Sequence, residues 1–244
     1  MRAQRLRGGI IAAGEGSRLR QAGFPMPKPL VPIAGLPLIG WVIRNFVAAG
    51  IIAPVTIVNE RAADCVEWVT ARFPHLGVRF IVKTTRSSLE SFVEVATGLG
   101  RGRALISTVD AWCRSDDFVR FVEAARRRPP AATVLAVTPF VADEHPLWVG
   151  LDARGRVTRL GGTSGDMVTA GIYLVSERVR TTVPPPGLGR LREFLAWLVD
   201  RGEPLYGEVI ERVVDVDRAE DVALAEALAS TARVSRRSQG GADE

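Results

Sequence analysis

Lysine is almost absent from this chain. Of 32 basic residues only Lys28 and Lys83 are lysine; the rest are arginine. Cysteine and histidine are as scarce, with two of each. Cys65 and Cys113 have neither a CxxC nor a metal-ligand spacing, which excludes a disulfide scaffold and points to a reduced, cytoplasmic setting. His75 and His145 lie too far apart in sequence to suggest a zinc site. No apolar run approaches the roughly 18 residues of a membrane span. The apolar run at 10–13, behind a basic start, is too short for a secretory signal. A net charge of +5 invites a nucleic-acid partner, but no basic stripe interleaves with aromatics, so neither nucleic acid nor membrane is expected as a partner. Self-association into a homo-oligomer stays open.

What the chain does have is apolar material, 47 % of its residues, arranged as strands alternating with helices. Strands are expected at 8–13, 54–59, 78–83, 104–109 and 132–138. Helices are expected at 36–49, 62–73, 88–99 and 116–128. After Pro139 the rhythm changes. A hairpin turns at Ala153-Arg154-Gly155 between strands at 148–152 and 157–160. A strand at 168–175, a helix at 191–201, a short strand at 213–216 and a last helix at 219–228 follow. One α/β domain over 1–230 is expected, with a mostly parallel sheet covered on both faces. The polar stretch from Thr231 to Glu244 is expected to be a disordered tail. Ligands of such sheets bind beyond the carboxyl ends of the strands, where Gly14 and Asp110 both fall.

The first strand runs into Gly14-Glu15-Gly16-Ser17-Arg18. Glycines let backbone N–H groups approach phosphate, and an arginine adds a fork of donors. The dinucleotide fingerprint fails for want of its third small residue. The P-loop fails for want of Gly-Lys-Ser/Thr. Downstream, Pro27 and Pro29 bracket Lys28 and are expected to hold it in a stiff, extended segment, so that its charge is placed. Asp110 follows an apolar strand directly, where a carboxylate suits Mg²⁺; its plain alternative is a helix cap.

Ile10-Ile11-Ala12-Ala13-Gly14-Glu15-Gly16-Ser17-Arg18-Leu19, followed by Pro27-Lys28-Pro29-Leu30, resembles the signature of the sugar-phosphate nucleotidyltransferases. The resemblance extends over about residues 8–230. It implies a Rossmann-like three-layer fold with a small acceptor-side β-hairpin region. It also implies an NTP substrate and pyrophosphate as product. Nucleotide contacts would come from Ala12, Ala13, Gly14, Gly16, Ser17, Arg18 and Lys28, with Arg18 and Lys28 as the catalytic cations. Asp110 matches the family's metal-binding Asp by position. Asp215 aligns with a second one and is preferred to Asp217, which is placed to cap the following helix. Gly150 in Trp148-Val149-Gly150 and Gly171 in Thr169-Ala170-Gly171-Ile172-Tyr173 fall in the acceptor-side segments. A family lysine for the acceptor phosphate is missing from Arg159-Leu160-Gly161-Gly162, which leaves Arg159 as the substitute. Ser87 and Ser88 stand near a turn that in the family meets the base; helix capping is their plainer use.

These readings lead to a Mg²⁺-dependent transfer of a nucleoside monophosphate from an NTP to a phosphorylated small molecule, a sugar 1-phosphate first. An acceptor oxygen attacks the α-phosphorus in line, with the metal on Asp110 and Asp215. The rivals are the same chemistry on a non-sugar alcohol phosphate such as phosphocholine, and a nucleotide-binding regulatory domain without catalysis.

Overall fold

The computed structural model describes residues 6–142 and 145–239. In chain order the elements are β1 (Arg7–Ala12), α1 (Ser17–Gln21), β2 (Pro32–Ile33), β3 (Leu36–Pro37), α2 (Leu38–Ala48), β4 (Val55–Val58), α3 (Ala63–Arg72), β5 (Arg79–Val82), α4 (Ser88–Gly98) and β6 (Ala104–Thr108). The second half holds β7 (Ala111–Trp112), α5 (Ser115–Arg127), β8 (Thr133–Thr138), β9 (Trp148–Leu151), β10 (Val157–Leu160), β11 (Met167–Val175), α6 (Glu177–Thr181), α7 (Leu191–Asp200), β12 (Leu205–Val209), β13 (Val214–Asp215) and α8 (Ala219–Gln239).

Nine strands form the central sheet, along the path β10-β9-β11-β6-β1-β4-β5, with β8 paired to β11 and β12 beyond it. β1 runs parallel to both β4 and β6, and β12 runs parallel to β8. β11 runs against β6, β8 and β9, and β10 runs against β9. The sheet is therefore mixed and mostly parallel, with β10 and β11 as the two reversed strands.

β1 shows why three layers form. Its side chains alternate: Ile10 and Ala12 face one apolar cluster, Ile11 and the following Ala13 the other. The first cluster takes in α2, α3, α5 and α8, and the second α4 and α7. Gly8 and Gly9 leave room for this packing. A Cβ at Gly8 would lie 2.8 Å from the Phe46 ring, and one at Gly9 2.4 Å from Val95.

Four local features differ from the sequence expectations. The segment around Lys28 is extended only up to Pro27. Leu30 N–H then donates to the Pro27 carbonyl (2.8 Å), turning Lys28–Leu30 into one 3₁₀ turn. The short hairpin of β2 and β3 follows it. β12, absent from the sequence reading, pairs in register with β8 because Gly207 admits Leu151 against the strand; a Cβ there would sit 2.8 Å from that side chain. Finally α8 does not stop at 228. It runs to Gln239, since no glycine or proline interrupts 219–239. The expected tail is thus helical as far as Gln239, and its last five residues lie outside the described ones.

Phe46 is fully buried under the Gly8 backbone and packs on Phe118, ring centroids 5.7 Å apart. Phe46→Ala is expected to lower the unfolding free energy by about 3–5 kcal/mol. Denaturant unfolding measures this, and a loss under about 1 kcal/mol would show that the core under β1 is slack.

Candidate active site

Three segments meet at one point of the rim. The loop after β1 carries Gly14 to Arg18, the 3₁₀ turn carries Lys28, and the end of β6 carries Asp110. A fourth segment is stitched to them by backbone. β13 pairs with β7, Val214 opposite Trp112 and Asp215 opposite Ala111. The Asp110 carbonyl accepts from Val216 N–H at 3.0 Å and from Trp112 N–H at 2.8 Å. Ligand oxygens of Asp110, Asp215 and Asp217 consequently lie within 4.8 Å of one another.

Lys28 enters this group from below. It is 6 % exposed, and its Nζ donates to Asp110 Oδ2 at 2.6 Å and to Asp217 Oδ1. Gly16 makes the entry possible. It sits at φ +61°, and a Cβ on it would be 2.6 Å from Lys28 Cβ. Burial opposes the ammonium charge, but Asp110, then Asp217 and Asp215, outweigh it and hold the Lys28 pKa above its ordinary value. Burial likewise opposes ionisation of Asp110, which is 24 % exposed. The Lys28 charge, with hydrogen bonds from Lys28 and Thr108, holds that carboxyl below its usual range. Arg18 stands exposed at the start of α1, its Nη1 3.5 Å from Asp217 Oδ2.

The rest of the β1 loop is presented as backbone. Ala12 and Ala13 are buried, while Gly14 is exposed and a Cβ on it would touch nothing within 4 Å. Buried Asn59, which the sequence reading did not single out, donates to the Ala13 carbonyl (3.3 Å) and so fixes that backbone. Ser17 begins α1 at the surface. Ser87 caps α4 by accepting from Glu90 N–H (3.2 Å). Ser88 accepts from Leu191 N–H (3.1 Å), tying the start of α7 to the start of α4.

Beside the carboxylates lies a cavity of about 180 Å³, lined by Asp110, Asp215, Gly171, Tyr173 and Arg192 among others. Gly171 belongs there. At φ +70° it lets β11 pass Thr108, whose Oγ1 would be 2.6 Å from a Cβ at this position. Burial, then the Asp110 and Asp215 charges, raise the Tyr173 phenol and keep it protonated. Two expected acceptor residues are not brought here. Gly150 packs against Thr158 and Arg159 within the hairpin. Arg159 is exposed and donates to the Gly161 (2.8 Å) and Ser164 (3.0 Å) carbonyls of its own loop. The cation lining the cavity is Arg192, at the start of α7, held by a bond to the His145 carbonyl (3.1 Å).

Asp217, the residue passed over in favour of Asp215, is central. It does not cap α8. Asp221, in the first turn of α8, instead reaches back as the third residue of a capping box does, its Oδ2 accepting from the Asp217 (3.0 Å) and Arg218 (2.9 Å) N–H groups. That leaves the Asp217 side chain to face Lys28 and Arg18.

Residues 8–173 match the MobA-like NTP transferase domain. The chain belongs to that family. It is 26 % identical over 82 % of its length to a glucose-1-phosphate thymidylyltransferase of Streptomyces griseus, and 30 % identical over 68 % to the bifunctional protein GlmU of Anaeromyxobacter dehalogenans. It spans 59 % of the former and 36 % of the latter. Its fold superposes on an inositol-1-phosphate CTP transferase of T. maritima with a TM-score of 0.76, at 19 % identity, over 91 % of this chain and 96 % of that one. A glucose-1-phosphate thymidylyltransferase of Bacillus anthracis superposes with a TM-score of 0.79 at 18 % identity, over 92 % and 95 %. The likeness in fold therefore takes in more of the chain than the 8–173 that the family matches. No helix among the described residues is long and apolar enough to cross a membrane.

The Lys28 pair predicts a pH signature. The contribution of Asp110, whose folded pKa is depressed, is present above about pH 4 and lost as pH falls through the folded value. That of Lys28, whose pKa is raised, is complete below about pH 10.4 and lost only above its folded value. The pair is therefore intact across the neutral range. Lys28→Met removes the counter-charge and is expected to cost on the order of 3 kcal/mol at pH 7. In the variant, burial and the neighbouring carboxylates now raise the Asp110 pKa. Its deficit should thus shrink between pH 7 and pH 5. Unfolding curves at both pH values check this, and a constant deficit would remove the charge coupling.

Proposed function

We propose that this chain transfers a nucleoside monophosphate from an NTP to the phosphate of a small acceptor and releases pyrophosphate. The observation that carries the reading is the buried Lys28, flanked by Arg18 and the Gly14–Gly16 backbone and set against three carboxylates next to a cavity lined by Arg192. Lys28 and Arg18, suited to a triphosphate, contact the carboxylates, and a further cation, Arg192, lines the neighbouring cavity and suits an acceptor phosphate.

The donors are all hard oxygens, three carboxylates within 4.8 Å of one another, a set that suits Mg²⁺. Asp110 and Asp215 would hold it, with Asp217 in reach. When bound, the ion neutralises phosphate charge and polarises the α-phosphoryl group. Lys28 and Arg18 bind the triphosphate and stabilise charge as it gathers on the leaving pyrophosphate. The exposed Gly14 backbone lies where the nucleoside passes. Arg192 orients the acceptor phosphate, and arginine's fork suits two of its oxygens. One acceptor oxygen forms the new bond to the α-phosphorus, and the bond to the β-phosphate oxygen breaks with its electron pair. The acceptor phosphate is already ionised, so no proton needs to move and no protein nucleophile is required.

Sugar 1-phosphates lead as acceptors, supported by the glucose-1-phosphate thymidylyltransferases among the relatives. The apolar part of the cavity wall, beside polar Ser88, Thr138, Thr169 and Tyr173, admits a second reading, the phosphate of a less hydroxylated alcohol. Phe140, Leu147 and Leu191 offer no partners to buried hydroxyls. A pyrophosphate-release screen of NTPs against phosphorylated sugars and alcohols decides between them. Binding of NTP with Mg²⁺ but no release with any acceptor would instead support a regulatory domain.

Chelation with EDTA is expected to abolish turnover and Mg²⁺ to restore it, and Asp110→Ala to abolish turnover while the protein stays folded. Full activity in EDTA would refute the carboxylate–metal arrangement. Arg192→Ala is expected to raise the KM for the acceptor at least about 10-fold, with the KM for NTP nearly unchanged, since a charged hydrogen bond contributes roughly 1.5–3 kcal/mol. Arg159→Ala is expected to change neither. Steady-state kinetics with each substrate varied in turn measures both, and equal effects of Arg192→Ala on the two KM values would remove it from the acceptor side.

A further inference from the structure

Asp217 engages both cations meant for the triphosphate. Its Oδ1 accepts from Lys28 Nζ, and its Oδ2 lies 3.5 Å from Arg18 Nη1. Asp110 holds Lys28 as well, at 2.6 Å, so the buried ammonium keeps a partner whether or not Asp217 is charged. The Asp217 carboxylate is therefore not needed to bury Lys28. Nor does it cap α8, whose start is braced by Asp221 of the first turn, accepting from the Asp217 and Arg218 N–H groups.

We propose that Asp217 makes nucleotide binding conditional on the divalent cation. The proposal rests on the transferase reading above. Without the cation, three carboxylates face two cations, and the site presents one net negative charge to an NTP. Lys28 and Arg18 are at the same time occupied by a competing anion. With a divalent ion on the carboxylates, the net charge turns positive and the hold of Asp217 on Lys28 and Arg18 is weakened. Opposite and like charges about 4 Å apart interact strongly even when partly solvated. Asp217 is 42 % exposed, so solvent screens part of this and moderates the effect. The consequence is an order of events: metal-free NTP is refused, and the NTP–metal pair is accepted. Asp217 is on this account a positioning residue, acting through Lys28 and Arg18.

The test is calorimetric titration of the whole chain with ATP, CTP, GTP, UTP and dTTP, in EDTA and in Mg²⁺, with no acceptor present. For the wild type, the preferred NTP should bind at least ~10-fold more weakly in EDTA than in Mg²⁺. Asp217→Asn should tighten binding in EDTA by ~10-fold or more, so that the ratio of the Mg²⁺ affinity to the metal-free affinity falls. The gain should fall at high salt, as an electrostatic effect must. Asp217→Glu, which keeps the charge, should restore the refusal. Thermal melts of both variants establish that they are folded. Unchanged metal-free affinity in a folded Asp217→Asn overturns the proposal. So does weaker binding in Mg²⁺ with no gain in EDTA, which would make Asp217 a simple metal ligand. Equal wild-type affinity with and without Mg²⁺ overturns it too. If no NTP binds wild type or variant even in Mg²⁺, the transferase reading itself falls and the proposal falls with it.

Discussion

A single buried ammonium organises the rim of this sheet. Lys28 is 6 % exposed and cannot sit there unpaired, because desolvating a lone charge costs far more than one domain can spare. Its partners are far away in sequence: Asp110 from just beyond β6 and Asp217 from the approach to α8. Folding the charge inward brings β1, β6 and the C-terminal segment to one point of the rim. The arrangement that solves this electrostatic problem also leaves carboxylates and cations in contact with one another, a set of charges of the kind that phosphoryl chemistry needs.

Backbone, rather than side chains, sets the distances. The Asp110 carbonyl takes two N–H groups, one from each side, and the β7–β13 pair locks Asp215 beside Ala111. Asn59 pins the Ala13 carbonyl from β4. Ser88 pins the first N–H of α7, and with it the place from which Arg192 reaches the cavity. Sites held in this way lose little entropy on binding, since the functional groups are already where the reaction wants them.

The legible part of the site was local. The loop after β1 and the lysine behind it lie within about 20 residues, and Asp110 sits at the end of an uninterrupted apolar strand. Such patterns carry their geometry with them, and the longer strands and helices up to β8 were read from the same alternation, while the short α1, β2, β3 and β7 were not. What escaped depends on contacts between segments far apart. Arg159 and Arg192 are alike as sequence; only the turn at 161–164, whose carbonyls consume the Arg159 fork, and the docking of α7 on α4 tell them apart. β12 is too short to show a period and contains a glycine that is there for Leu151. Asp217 did carry a signal. Asp221, the third residue of α8, stands where a capping box reaches back to the N–H groups ahead of the helix, and the Asp217 side chain is left to the cations.

The scarcity of lysine becomes intelligible once the two buried cations are compared. Arg180, at 7 % exposure, spreads its charge over the carbonyls of Ala96, Leu99, Gly100 and Gly102. It binds a curved stretch of backbone, and a planar fork suits that task. Lys28 has the opposite task. It passes beneath Gly16 with no room for even one more methyl group, and it brings a full charge to one point between two carboxylates. A fork there would need several acceptors in a plane and a wider entry. It would also keep its hydrogen bonds to carboxylates more firmly, whereas a ligand site must be able to exchange them for phosphate oxygens. A compact ammonium, with three donors and no fixed plane, can turn from one set to the other without leaving its channel. Of the two lysines, Lys83 is a partly exposed partner of Glu90 and Glu94, and Lys28 stands where charge must be small and able to change partners.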